Sequence, residues 1–168
     1  MTASERDRLF LEVFQGRKAS LHRLCYGFLG SPDEVEDLFQ EIMTNVWNSL
    51  PGFRGDSAIH TWVYRIAVNT ALVYRKKIRR GEELPEMADS RMCAHQTLEQ
   101  EERLAALRRA IATLPEQDRL IITLLLEGLS YKEIAEITGL TVNYVGVKIS
   151  RIKQTLEQLM TEVTNGAV

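Results

Sequence analysis

No stretch of the 168 residues approaches the ~18 consecutive apolar positions that a membrane-spanning helix requires, so none is expected. Residues Met1 to Glu12 lack an apolar segment behind a basic start, which argues against a secretory signal. Cysteine is scarce: Cys25 and Cys93 lie far apart and form no CxxC, so neither a disulfide scaffold nor a zinc ribbon is expected. His22 and Cys25 stand at HxxC spacing and would supply half a metal site. His60 and His95 lie in unrelated segments, so no metal and no cofactor is expected. A phosphate-binding P-loop, GxGxxG, HExxH and GxSxG are all missing, which removes the common enzyme signatures. What remains is 45% apolar and 26% charged, the balance of a soluble globular chain, expected to be cytoplasmic and non-enzymatic.

A net charge of only −2 argues at first against a nucleic-acid partner, but the charges are segregated. Ser31 to Glu41 holds five acids and no base. Phe53 to Arg80 holds seven bases against Asp56, and Glu82 to Glu102 holds seven acids against Arg91. Such striping implies one anion-binding surface and at least one cation-facing surface.

Apolar spacing is helical throughout, which predicts an all-α chain of two small helical domains joined by a flexible acidic linker. The boundaries expected are 1–80, a linker over 81–97 and 98–168. In the first domain a helix over about 4–29 is expected to break near Gly16. Gly30-Ser31-Pro32 reads as a stop followed by an N-cap, opening a helix with the stripe Leu38, Ile42, Val46 that ends at Pro51-Gly52. Ser57 is expected to cap the next helix, with Ile59, Trp62, Val63, Ile66 and Thr70 inward. In the second domain, Ser130 with Glu133 fits a capping box, Gly139 a tight turn, and Thr141 the cap of a last helix striped by Val145, Ile149 and Ile152.

Ala135, Gly139 and Val145 have the spacing of a helix-turn-helix, in which a small residue sits where two helices touch. The outer side of its second helix presents Asn143, Tyr144, Val147, Lys148 and Arg151, groups suited to base edges and phosphates. A helical hairpin with a solvated basic face has the same pattern. Upstream, Arg65 and Asn69 share a helical face with Lys76 beyond them, and Phe53, Trp62, Tyr64 and Tyr74 interleave with the bases, a mixture suited to a single strand. Trp62, in phase with Ile59 and Ile66, also fits a core position, and the bases to Arg80 also fit a solvated helix end. Asp37, Gln40, Glu41 and Thr44 form an acidic face that equally fits an ordinary solvated surface. A dimerising helix-turn-helix regulator that acts without a polymerase is the competing class.

Asp37-Leu38-Phe39-Gln40-Glu41, Val46-Trp47, Phe53-Arg54-Gly55-Asp56-Ser57 and Thr61 to Asn69 resemble conserved region 2 of bacterial extracytoplasmic-function (ECF) sigma factors. Leu114-Pro115-Glu116 and Gly128 to Val145 resemble region 4 of the same family. The resemblance covers about residues 9–80 and 98–160, with the motifs in order. It implies a dissociable specificity subunit of RNA polymerase whose partners are the β′ clamp and β subunits, promoter DNA and an anti-sigma factor. Asp37, Leu38, Gln40 and Glu41 would bind the polymerase. Phe53, Arg54, Gly55, Arg65, Asn69 and Lys76 would hold the minus-ten element with one base flipped out. Thr141, Asn143, Tyr144, Lys148 and Arg151 would read the minus-thirty-five duplex. Asn143-Tyr144 and Gly146 replace the small pair and base usual in the family, so weaker phosphate attraction is expected there.

Overall fold

A computed structural model describes residues 3–29, 34–81 and 98–165. The helices are α1 (Ala3–Leu29), α2 (Val35–Ser49), α3 (Ile59–Arg79), α4 (Leu98–Thr113), α5 (Glu116–Leu126), α6 (Tyr131–Thr138) and α7 (Val142–Asn165). A short 3-10 turn, Leu50–Gly52, follows α2. Among the described residues there is no strand. The Gly30-Ser31-Pro32 stop lies outside the described residues, as does the linker beyond Gly81.

The first three helices pack on one another. Val35, Leu38, Phe39, Ile42, Met43 and Val46 recur at helical spacing and bury one side of α2. α1 differs from expectation in running unbroken through Gly16. A single exposed glycine costs a helix about 1 kcal/mol relative to alanine. Burial of Val13, Leu21, Leu24, Cys25 and Phe28 on either side of it outweighs that.

α3 also departs from the sequence reading. Its N-cap is Ala58 and no side chain caps it, so Ser57 does not play that part. Its buried side is Val63, Tyr64, Ala67, Val68, Ala71 and Tyr74, while Ile59, Trp62 and Ile66 are only half-buried. The apolar residues of α3 span more than one stripe, and the choice between stripes is made by α1 and α2 rather than by local periodicity. Thr70 is inward as expected, and accepts a hydrogen bond from Asn45 Nδ2 at 3.0 Å.

In the C-terminal half, the Ser130 side chain accepts from Glu133 N while the Glu133 carboxylate accepts from Ser130 N at 2.8 Å. Gly139 closes α6 in the left-handed region at φ 74°, a conformation that costs glycine nothing. Thr141 Oγ1 accepts from Tyr144 N at 3.2 Å and so caps α7. Ala135, Val145, Ile149 and Ile152 are buried where α6 and α7 meet. These elements form the helix-turn-helix read from the sequence.

The two halves are not held apart. Their buried apolar residues form one continuous core, with α1 against α5 and α3 against α6. At the α1–α5 crossing, a Cβ added to Gly27 would lie 2.6 Å from Thr123 Oγ1, so only glycine permits this approach.

Candidate nucleic-acid interface

The acidic side of α2 is partly solvated. Asp37, Gln40 and Glu41 are half-buried, and Glu41 Oε1 accepts from Lys77 Nζ on α3 at 3.1 Å. Leu38, named with them in the sequence reading, is 0% exposed. It faces the core and offers a partner nothing to touch; its contribution is to hold the helix that carries the acids. Burial and the carboxylates of Asp37, Glu34 and Glu41 push the Tyr74 phenol well above its ordinary range, which marks how densely negative this end of α2 is.

Beside this face lies the loop Phe53 to Ser57. Its turn uses Gly55 at φ 77°, and Arg54 is exposed at its tip. Phe53 packs on Trp62 with ring centroids 5.1 Å apart and planes at 56°. Both rings are half-buried, and they are the aromatic surface available at the loop. Tyr64 and Tyr74, grouped with them in the sequence reading, are fully buried and reach no ligand. Along α3, Asn69 and Lys76 are exposed, on the same outer side as the half-buried Arg65.

Arg65 is already engaged. Its Nη2 donates to Glu136 Oε1 on α6 at 2.9 Å. One turn earlier, His60 Nε2 lies 2.8 Å from Glu133 Oε1. The His60 hydrogen bond, then those from the Ser130 side chain and backbone, hold the Glu133 carboxyl down at about 2. Two further pairs cross between the halves. Arg23 grips Glu127 with two bonds of 2.7 Å each, and Arg79 donates to Glu116. Exposed pairs of this kind contribute only ~0.2–1 kcal/mol each, so the closed arrangement owes more to its apolar seam than to them. Arg119 on α5 opposes it. This guanidinium is 6% exposed, with Nη1 donating to Ala112 O at 3.0 Å, and burial and then Arg75 and Arg79 press its charged form downward.

On α7, Thr141, Asn143, Tyr144 and Arg151 are exposed together with Val142 and Val147. Lys148 is not an open charge: its Nζ donates to Asp118 Oδ1 at 2.6 Å, and that bond raises its affinity for the proton. Tyr144 OH likewise donates to Gln117 Oε1 at 3.3 Å. The first turn of α5 thus orients two expected contacts of α7, a role that the sequence reading missed. Asp118 stands 30 positions from Lys148, and nothing local links them.

Among the described residues no group of three or more His, Cys, Asp or Glu side chains is placed to hold a metal ion. Nor is any helix there long and apolar enough to cross a membrane.

Comparison with known proteins agrees with this layout. Residues 14–81 match the model of Sigma-70 region 2, and residues 104–156 match Sigma-70, region 4. The ECF RNA polymerase sigma-E factor of Escherichia coli (strain K12) is 34% identical, with the alignment covering 74% of this chain and 72% of that protein. The RNA polymerase sigma-H factor of Pseudomonas aeruginosa is 32% identical, over 82% of this chain and 78% of that protein. Among solved structures, CnrH in complex with the cytosolic domain of CnrY superposes with a TM-score of 0.69 at 22% identity, over 92% of this chain and 89% of that one. The sigma factor RpoE in complex with the anti-sigma factor NepR from Bartonella quintana gives 0.73 at 21%, over 90% and 96%. The first two relatives carry the assignment and the structures carry the fold. The chain belongs to the sigma-70 family as an ECF sigma factor, a non-enzymatic subunit through which RNA polymerase initiates transcription.

Proposed function

We propose that the two ends of the N-terminal half divide the work of initiation. Residues 1–80 form the unit that binds polymerase and opens DNA, 81–97 a linker, and 98–168 the unit that reads duplex. Asp37, Gln40 and Glu41 meet the β′ clamp, with Leu38 supporting them from beneath. Phe53, Arg54 and Gly55 receive an unstacked base of the minus-ten strand, while Arg65, Asn69 and Lys76 track its phosphates. Thr141, Asn143, Tyr144, Lys148 and Arg151 face the minus-thirty-five duplex. The observation that supports this most directly is adjacency: the Glu41–Lys77 contact joins the acidic side of α2 to the basic end of α3. A polymerase held on the first thus has melted DNA delivered to the second.

The protein works in the cytoplasm, where polymerase and promoter are found. Its activity is restrained by an anti-sigma factor, as the titles of both structural neighbours suggest.

Photocrosslinkers placed singly at Asp37, Asn69 and Arg151 in reconstituted holoenzyme test the assignment. The expected products are β′, minus-ten single strand and upstream duplex respectively. Crosslinking of Asp37 to DNA, or of Asn69 to protein alone, would overturn it.

A further inference from the structure

A compact chain of this length has a radius of gyration of about 15 Å and measures about 40 Å across. The minus-ten and minus-thirty-five elements lie about 25 base pairs apart, roughly 85 Å at ~3.4 Å per pair. The closed arrangement, with α1 on α5 and α3 on α6, therefore cannot hold both elements together. It also stands in the way of one of them. Glu133 and Glu136, three apart on one face of α6, are bonded to His60 and Arg65 of α3 at 2.8 and 2.9 Å. Arg65 is a residue through which α3 would grip phosphate.

We infer that α6 is an intramolecular stand-in for the promoter strand: its two carboxylates occupy the cationic side of α3 and keep the unbound sigma factor from engaging single-stranded DNA. This rests on the reading of α3 as the strand-binding helix. Carboxylates at these distances satisfy a guanidinium much as phosphate oxygens do. The seam behind them decides how long they stay. Gly27 lets α1 approach Thr123 at a distance that no other residue permits, and the Arg23–Glu127 grip closes one edge. Arg119, buried beside Arg75 and Arg79, works against closure, so the seam is built to part rather than to be permanent. The first helix of the helix-turn-helix is then both a support for α7 and a plug for α3. Release of one DNA-reading unit releases the other.

The experiment uses the full chain without polymerase. Gly27→Leu wedges the α1–α5 crossing, and Glu136→Arg with Glu127→Arg reverses two of the bonding partners. X-ray scattering should give the wild type a radius of gyration near 15 Å and both variants a clearly larger one. Binding of a fluorescein-labelled, random-sequence 12-nucleotide single strand should tighten about tenfold in both, as expected if about one molecule in ten is open beforehand. Adding Arg65→Ala to either variant should remove that gain. Variants that stay compact, or that expand without binding the strand more tightly, overturn the inference. If circular dichroism shows Gly27→Leu to be unfolded, the surface charge variant decides alone. Capture by core polymerase, measured in parallel on the wild type, separates failure of the sigma reading from failure of the plug.

Discussion

Arg65 on α3 donates to Glu136 on α6 across 2.9 Å, so a guanidinium assigned to DNA is held by a carboxylate of its own chain. Asn69, one turn further along the same helix, is exposed and lies outside that ion pair. The two residues therefore separate what DNA contact contributes from what domain closure withholds.

Asn69→Ala removes strand contact without touching the closed arrangement. Loss of one hydrogen bond of about 1 kcal/mol slows strand opening about fivefold on a duplex promoter. A pre-melted template should show a smaller change, because its bases are already unstacked. Stopped-flow fluorescence of 2-aminopurine in the minus-ten strand measures both rates. Equal slowing on the two templates contradicts a role in melting.

Asp37→Arg with Glu41→Arg places like charge on the surface proposed for the clamp. Neither side chain belongs to the apolar core, so the melting temperature should move by only a few degrees. Affinity for core polymerase should fall at least about tenfold, with most of the change in association rate at low salt. Surface plasmon resonance on immobilised core enzyme decides it, and unchanged affinity excludes this docking face.

The Glu133 carboxyl should titrate at about 2, because His60 first and Ser130 second hold it ionised. A depressed folded-state value means the stabilisation is complete above the unfolded value of ~4.3 and is lost as pH falls toward 2. Glu133 is then charged throughout the physiological range. Carboxyl-carbon NMR should find that midpoint in the wild type and a higher one in His60→Ala. A wild-type midpoint near 4.3 would show that the His60 contact is not made in solution.

Arg151 and Lys148 should differ as phosphate contacts. Arg151 is exposed, so Arg151→Ala should lower the salt slope for upstream duplex by about 1. Lys148 is neutralised by Asp118, so its alanine variant should lower the slope by less, and Asp118→Ala should raise it. Filter binding by holoenzyme between low and moderate salt measures all three. Equal slopes for the two single variants at Lys148 and Arg151 contradict the pairing.

Gly146 lies inside α7, and a Cβ there would rest 3.7 Å from the Tyr131 ring, an ordinary contact. Gly146→Ala should stabilise the protein by up to about 1 kcal/mol through helix propensity. Urea unfolding measures it, and destabilisation would mean that α7 needs a bare backbone at this point.

Where local chemistry dictates structure, the sequence was legible. Ser130 with Glu133, Gly139 and Thr141 are caps and turns whose bonds close within three or four residues, and each is found where its residue type puts it. The acidic side of α2 follows from a single clear stripe. The inward side of α3 was misjudged because Trp62 and Tyr64 are both apolar enough to be buried, and only the neighbouring helices choose between them. Gly16 reads as a break locally, yet flanking burial carries α1 through it. The pairs of Lys148 with Asp118, Arg65 with Glu136 and Arg23 with Glu127 span 30 to 104 positions, and no periodicity encodes them. Those long-range pairs are what turn a list of DNA-facing residues into a closed molecule with some of those residues occupied.

Run-off transcription from a pool of random promoters, with bacterial core enzyme and this protein, weighs the whole scheme most directly. Discrete transcripts sharing upstream sequence at two separated positions should appear with the wild type and vanish with Asp37→Arg and Glu41→Arg. Core enzyme that gains no preferred start site when the protein is added would contradict it.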